Sequence, residues 1–459
     1  MKYAIVLAAG KGTRMKSNLN KVMHHVAGKP MIGHLIDQLE QIDVDESYVV
    51  VGYQQEHIKD YLKERVNYAL QEEQLGTGHA VKMVDQLKGK AGKTILLYGD
   101  VPLIQKETME LLYETANDYD MVILTADLED PDMYGRIVRG KQGEVQKIVE
   151  YRDASESEKH IQEINTGIYC FDNELLFKYL EDLTNDNNQG EYYITDLVEM
   201  FAQNNHSIKT IRVSDIDEVM GINDRIQLAK ASHWLQNHIN CHWMSEGVTL
   251  IDPNNTYISA DAMIAQDVII YPGVMIRGKS VIGEGTIIYS GSVIQDSTIG
   301  NGCRIESSKI IDSTIKNEVN IGPNAHIRAH SVVEDKNRIG NFVELKNTHM
   351  GYDSRCAHLS YLGDSIIGQH VNIGCGVVTV NYDGVNKHKT IIGDGAFIGS
   401  NVNLIAPITV GKNTVVAAGS TINKDVNDGD LVIERANRVD KEGYGIKYKN
   451  KPKIEKGKL

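Results

Sequence analysis

Aliphatic residues spaced six apart dominate the second half of the chain and limit what it can fold into. Ile264, Ile270, Ile276, Ile282, Ile288 and Ile294 form one strict run. After a slip, Ile315, Ile321, Ile327, Val333, Ile339 and Leu345 form another, and the spacing returns at Ile367 and Ile373. A last run follows at Ile392, Ile398, Leu404, Val410, Val416 and Ile422. Gly often comes next, as at Gly283, Gly300, Gly322, Gly340, Gly368, Gly393 and Gly411. A period of six belongs neither to an amphipathic helix nor to a simple half-buried strand. It suits a triangular solenoid: each six-residue side sends one aliphatic side chain inward, and stacked coils bury a core that no single repeat could form. A parallel β-helix is therefore expected over residues 248–459, with a Lys-rich tail from Arg435 that lacks the repeat and is expected to be flexible.

The first half is organised differently. Tyr3–Ala8, Ser47–Val51, Thr94–Tyr98 and Met121–Ala126 read as strands, with helical patterns such as Met31–Gln41 and Lys106–Ala116 between them. Strand–helix alternation predicts a parallel sheet covered on both faces, with ligands at the carboxyl ends of its strands. At 459 residues the chain exceeds one ordinary core. The expected division is a domain over 1–225, a linker helix over 226–247, and the solenoid over 248–459.

Charge and cysteine usage narrow the function classes. A net charge of −14, from 62 acidic and 48 basic residues, argues against nucleic acid or an anionic membrane as the main partner. The five cysteines (Cys170, Cys241, Cys303, Cys356, Cys375) are far apart and contain no C-x-x-C pair. A reducing, cytoplasmic compartment fits them best. Gly10, Lys11, Gly12 and Arg14 break the N-terminal apolar run too early for a signal peptide. No apolar stretch approaches the ~18 residues of a membrane span.

Two segments carry chemistry. After the first strand, Leu7-Ala8-Ala9-Gly10-Lys11-Gly12-Thr13-Arg14-Met15 combines small residues, which let backbone N–H groups approach a nucleotide, with cations. A dinucleotide fingerprint would need Gly where Met15 stands, and no P-loop pattern is present. An ordinary tight turn remains the plain alternative. Lys21 and Arg14 can neutralise phosphates, and Leu75-Gly76-Thr77-Gly78-His79 is a second Gly-rich turn. Asp100, in Tyr98-Gly99-Asp100-Val101-Pro102, is either a turn residue or a ligand for Mg²⁺. In the solenoid, residues 380–389 (VNYDGVNKHK) interrupt the repeat, and a loop on a repeat protein marks a working face. Upstream lie Arg328, Lys346 and His358; a lone histidine among 16 is more often a solvated side chain than a catalyst. His326 and His330, four apart, have a helical spacing that does not suit a six-residue side, which disfavours zinc.

LAAGKGTRM, KVMHHVAGKPM, LQEEQLGTGHA, YGDVPLI, YGRIV, EINTGIY, QGEYYITD and GINDR together resemble the sugar-1-phosphate nucleotidyltransferases. NFVELK, AHLSYLGD, VNIGCGVVTVNYDG, HKTIIGD and FIGSNVNLIAP extend the resemblance to the bifunctional bacterial N-acetylglucosamine-1-phosphate uridyltransferase/glucosamine-1-phosphate acetyltransferase family, over nearly the whole chain. It implies an α/β Rossmann-like nucleotidyltransferase domain followed by a left-handed parallel β-helix of hexapeptide repeats. Two reactions are implied. Acetyl-CoA and glucosamine 1-phosphate give N-acetylglucosamine 1-phosphate, which with UTP gives UDP-N-acetylglucosamine, a cell-wall precursor, and pyrophosphate.

By carry-over, the uridine end meets Leu7, Ala8, Ala9, Gly10, Gln71, Gly76 and Thr77, with Tyr98 and Gly99 beside Asp100. The sugar meets Gly135, Glu150 and Asn165. Arg14 and Lys21 serve the phosphates, and Asp100 and Asn223 hold Mg²⁺. In the solenoid His358 is the general base, Arg328 and Lys346 hold the sugar phosphate, and Tyr361 and Asn372 complete that pocket. Cys375, Asn381, Tyr382, Ser400, Ala418 and Arg435 serve acetyl-CoA. A homotrimer is also implied, with no nucleic-acid partner and no membrane insertion. Two departures stand out: Asn20 where many relatives have Pro, and Cys375 where they usually have Ala. A single-function nucleotidyltransferase with a regulatory or oligomerising β-helix, or a solenoid scaffold, would not require the His358, Lys346, Arg328 and loop set.

Overall fold

The structure, a computed structural model, describes residues 1–187 and 189–450. The chain divides into two compact units: Met1–His242 with Tyr257–Ala260, and Trp243–Thr256 with the chain from Asp261 onward.

The first unit is built on a sheet of nine strands. We number these β1 (Lys2–Leu7), β2 (Glu46–Val51), β3 (Asn67–Leu70), β4 (Lys93–Tyr98), β5 (Met121–Asp127), β6 (Arg136–Arg139), β7 (Val145–Val149), β8 (Glu163–Asp172) and β9 (Ile208–Arg212). Their main order is β9-β5-β8-β4-β1-β2-β3, with β6 joined to β8 and β7. Alternate residues of each strand face opposite sides, so both faces are apolar. Ala4, Val6, Val49, Ile95 and Leu97 meet Leu35 and Leu39 on one side, whereas Tyr3, Ile5, Val50 and Leu96 meet Val81, Leu176 and Phe201 on the other. The helices Met31–Gln41 and Lys106–Ala116 occupy the spans the sequence predicts.

The sheet is mixed rather than wholly parallel, which corrects the sequence expectation. β8 runs antiparallel to both β4 and β5. The physical reason is the connection: between β5 and β8 the chain forms the β6–β7 hairpin instead of a long crossover helix, so it returns in the opposite direction.

The second unit is the left-handed β-helix. Short parallel strands stack coil upon coil along three sides, as in Ile270↔Ile288↔Ile305 and Ile264↔Ile282↔Ile299. Every aliphatic residue of the six-residue runs is buried. Where the spacing slips, Ile299, Ile305 and Ile310 fill the ladder, and later Met350, Cys356, Leu362 and Thr379 do so. Buried hydroxyls hold one corner: Ser297 N–H donates to Ser280 Oγ (3.3 Å), Ser313 to Ser297 (3.1 Å) and Thr348 to Ser331 (3.1 Å).

A single helix, Arg225–Ser245, runs through the expected linker region. Tyr444–Lys449 forms a short helix beyond the last coil, and residues 451–459 of the tail lie outside the described residues.

Candidate functional sites, one in each unit

At the carboxyl ends of β1 and β4 two clefts share a wall. One, about 250 Å³, is lined by Leu7–Gly10, Gln71, Gly76 and Thr77; the other, about 410 Å³, by Gly135, Glu150, Asn165 and Asn223. Tyr98 and Asp100 belong to both. Local sequence explains this placement. Ala8 N–H bonds Val50 O (2.9 Å) and Gly99 N–H bonds Leu7 O (2.9 Å), so the sheet ladder carries directly into both turns. Gly76 has φ +111°, and a Cβ there would lie 2.6 Å from Tyr192 O, so only glycine fits. Gln71, nearly fully buried, spans the turn by donating to Gly76 O (3.1 Å).

Charged groups converge where the clefts meet. Lys21 Nζ bonds Asp100 Oδ2 and Asn223 Oδ1 (2.7 Å), and Arg14 Nη2 reaches the same Asn223 oxygen (2.7 Å). Gly12 makes the approach of Lys21 possible: at φ +57°, its Cβ would stand 2.5 Å from Lys21 Cβ. Asn20, at the position where Pro was expected, caps the turn through Val22 N–H (3.1 Å) and donates to Tyr53 O (2.7 Å). In the second cleft, burial foremost and then the charges of Asp153 and Asp196 push the Glu150 carboxyl above its usual range. Asn165 N–H holds Gly135 O at 2.9 Å, and its side chain donates to Tyr169 Oη (2.7 Å).

In the β-helix the expected residues fall into separate groups. Arg328, Lys346 and Gly363 stack on successive coils. Arg328 is clamped by Glu344 (Nε–Oε1 2.8 Å), and Lys346 lies 3.9 Å from Asp364, which also accepts from Asn347 (2.6 Å) and Asn381. Burial alone would raise the Asp364 carboxyl; the bonds from Asn347 and Asn381 and the charges of Lys346 and Lys387 bring it below its usual range. Tyr361 and Asn381 close on the same spot, since a Cβ on Gly363 would lie 2.4 Å from Tyr361 Oη and 2.8 Å from Asn381 Nδ2.

A second group forms a column along one corner. The pairings Ile339↔Cys356↔Ile373↔Ile398↔Val416 place the residues two further on in register: Asn341, His358, Cys375, Ser400 and Ala418. His358 is exposed, with Nδ1 3.3 Å from Asn341 Oδ1. Asn372 stacks on Arg355, away from the lysine group. Tyr382 is exposed and donates to Gly384 O (2.6 Å) within its own loop. Arg435 is exposed after the last strand and makes no hydrogen bond or ion pair with the described residues.

Comparison with known proteins covers both units. A nucleotidyl transferase family matches residues 3–227, and the bacterial transferase hexapeptide (six repeats) family matches 261–296 and 389–424. The bifunctional protein GlmU of Shouchella clausii is 50% identical over 446 residues, which is 96% of this chain and 98% of that protein. Those of Halalkalibacterium halodurans and Geobacillus sp. are 48% and 51% identical, covering 98% and 96% of this chain and 99% and 97% of theirs. The chain belongs to the bifunctional GlmU family. It is a transferase with both uridyltransferase and acetyltransferase activities.

Sequence reasoning missed several residues at these GlmU sites. Lys387, in the interrupting loop, is held below the usual lysine range by the neighbouring positive charge of Lys346. The VNKHK stretch was the available signal. Asp364, within the quoted AHLSYLGD, anchors Asn347 and Asn381. Gln74, Glu191 and Tyr134 also line the clefts; they lie in the quoted LQEEQLGTGHA, QGEYYITD and YGRIV segments, which marked the stretch but gave these residues no role.

Proposed function

We propose that the first cleft binds the uridine end of UTP, that the second binds N-acetylglucosamine 1-phosphate, and that uridylyl transfer occurs where they meet. The observation that carries this reading is the junction itself: Arg14 and Lys21 converge on Asn223 and Asp100 between two adjoining clefts. Transfer between phosphates needs chiefly alignment and charge neutralisation. Arg14 and Lys21 hold the phosphate oxygens. Glu150 and Asn165 orient the sugar, so that its phosphate oxygen attacks the α-phosphorus of UTP and pyrophosphate leaves.

Asp100 and Asn223 fit Mg²⁺. Both present hard oxygens, and both lie in hydrogen-bond reach of one ammonium, so a single cation can meet them together. Held by Asp100 and Asn223, Mg²⁺ would supply further charge neutralisation at the junction. On this reading Lys21 gives up its bonds to Asp100 and Asn223 and turns to phosphate.

In the β-helix the reading is acetyl transfer to glucosamine 1-phosphate. Arg328, Lys346 and Lys387 hold the phosphate, with Tyr361 and Asn381 beside them. His358 takes a proton from the sugar amine as the amine attacks the thioester carbon and coenzyme A thiolate departs; such a base contributes ~10²–10⁴ in rate. With Nδ1–H donated to Asn341 Oδ1, Nε2 carries the free lone pair. The corner column of Cys375, Ser400 and Ala418 supports an extended acetyl-CoA site, to which we assign Tyr382 and Arg435 as well. Asn372, which stacks on Arg355 apart from the lysine group, is not assigned to the phosphate pocket. A homotrimer and a reducing, cytoplasmic location belong to the same proposal, the latter supported by five cysteines without a disulfide among them. Among the described residues no helix is long and apolar enough to cross a membrane.

The test is a mass-spectrometric assay with UTP, acetyl-CoA, Mg²⁺ and a panel of sugar 1-phosphates. Glucosamine 1-phosphate should be acetylated and then uridylylated in sequence. Uridylylation of glucose 1-phosphate in preference to N-acetylglucosamine 1-phosphate would overturn the substrate assignment.

A further inference from the structure

Arg136 opens β6 and is only 2% exposed. A guanidinium taken so far out of water normally needs a carboxylate beside it. Among the described residues Arg136 has no ion-pair partner. Its N–H groups donate to main-chain carbonyls instead: Nη1 to Tyr134 O and Pro131 O (3.4 Å), Nη2 to Asp132 O (3.0 Å), and Nε to Lys159 O (3.4 Å). The Tyr151 ring lies 5.6 Å from the guanidinium carbon.

Three of those four carbonyls come from residues 131–134. The same turn supplies Asp132, Met133, Tyr134 and Gly135 to the wall of the second cleft. Asp132 has φ +42°, a left-handed conformation that a non-glycine residue holds only when its surroundings fix it. At its far end the turn is tied to the sheet through Gly135 O and Asn165 N–H. An apolar side chain of similar length would fill the volume without the cost of burying a charge. What it would lack is the planar fork that gathers carbonyls from one turn.

We propose that Arg136 is a positioning residue of the uridylyl-transfer site: its guanidinium gathers the carbonyls of Pro131, Asp132 and Tyr134 and so sets the wall against which the sugar phosphate binds. It acts through the turn and does not touch substrate. The inference rests on the assignment of this cleft to the sugar phosphate. It predicts an effect confined to that substrate, because the uridine cleft is formed by other turns.

The test uses the full-length Arg136→Met and Arg136→Lys proteins, with Glu150→Gln as a cleft control. For each, kcat and KM for N-acetylglucosamine 1-phosphate and for UTP are measured, and acetyl transfer by the same sample reports folded enzyme. Arg136→Met should raise KM for the sugar phosphate tenfold or more, with KM for UTP and acetyl transfer within twofold of wild type. Arg136→Lys should recover part of the loss, because the charge stays while the fork is gone. An unchanged sugar-phosphate KM in both Arg136 variants, with Glu150→Gln impaired, would overturn the role of Arg136 and leave the cleft assignment standing. An unchanged KM in all three would overturn both. Should Arg136→Met not fold, Arg136→Lys decides alone, and an equal rise in both KM values would mark a merely structural residue.

Discussion

Cys375 and Cys356 lie on neighbouring coils but differ in exposure. Cys356 occupies an inward position of the ladder, is fully buried, and its thiol is pushed up to about 12 by burial, with a smaller contribution from Cys375. A thiol so raised is inert at neutral pH. Cys375 is exposed, in the same corner column as His358, Ser400 and Ala418. Alkylation should therefore inhibit acetyl transfer and spare uridylyl transfer, acetyl-CoA should protect, and Cys375→Ala should be active and resistant. Undiminished inhibition of Cys375→Ala would exclude that column as the acetyl-CoA side. Cys375 was legible as a candidate because it departs from a resembled motif. The burial of Cys356 was not legible: the slip in spacing after Leu345 hid the fact that Met350, Cys356 and Leu362 continue the same ladder.

At the scale of elements, the helix Asp196–Gln203 shows two opposing effects at its first turn. A helix N-terminus favours a carboxylate, by ~0.3–1 kcal/mol at exposed sites. At Asp196 burial acts the other way, reinforced by Glu199 and Asp153, and it prevails: the carboxyl rises from 3.8 to about 6. Between those values the folded protein keeps a proton that the unfolded chain has released, so stability from this group falls as pH rises. Asp196→Asn should therefore raise the melting temperature at pH 7, and the gain should vanish near pH 4. Melting curves that run parallel for both proteins from pH 4 to pH 7 would contradict this. Neither the sign nor the size was legible in sequence, because burial and the approach of Asp153 belong to the folded unit. The elements themselves were legible where periodicity was strong: Met31–Gln41 and Lys106–Ala116 keep their predicted limits. The antiparallel β8 was not, since strand propensity carries no direction and only the return through the β6–β7 hairpin, with no long crossover helix, determines it.

For the whole molecule, the residues expected at each site on this chain fall within one compact unit. The groups proposed for uridylyl transfer lie within Met1–His242, and those proposed for acetyl transfer lie beyond Asp261. Sequence motifs grouped Lys21, Asp100 and Asn223, up to 202 residues apart, and Lys21 bonds both of the others. They did not foresee that the β-helix residues would fall into a lysine group and a corner column, because six-residue periodicity fixes which side chains point inward but not which outward ones meet across coils. The account's central claim is that two independent chemistries reside on this chain. The most direct measurement assays both activities on full-length Asp100→Ala and His358→Ala. Asp100→Ala should lose Mg²⁺-dependent pyrophosphate release and acetylate at the wild-type rate. His358→Ala should lose acetyl transfer by ~10²-fold or more and release pyrophosphate at the wild-type rate. Loss of both activities in either folded variant would contradict the claim.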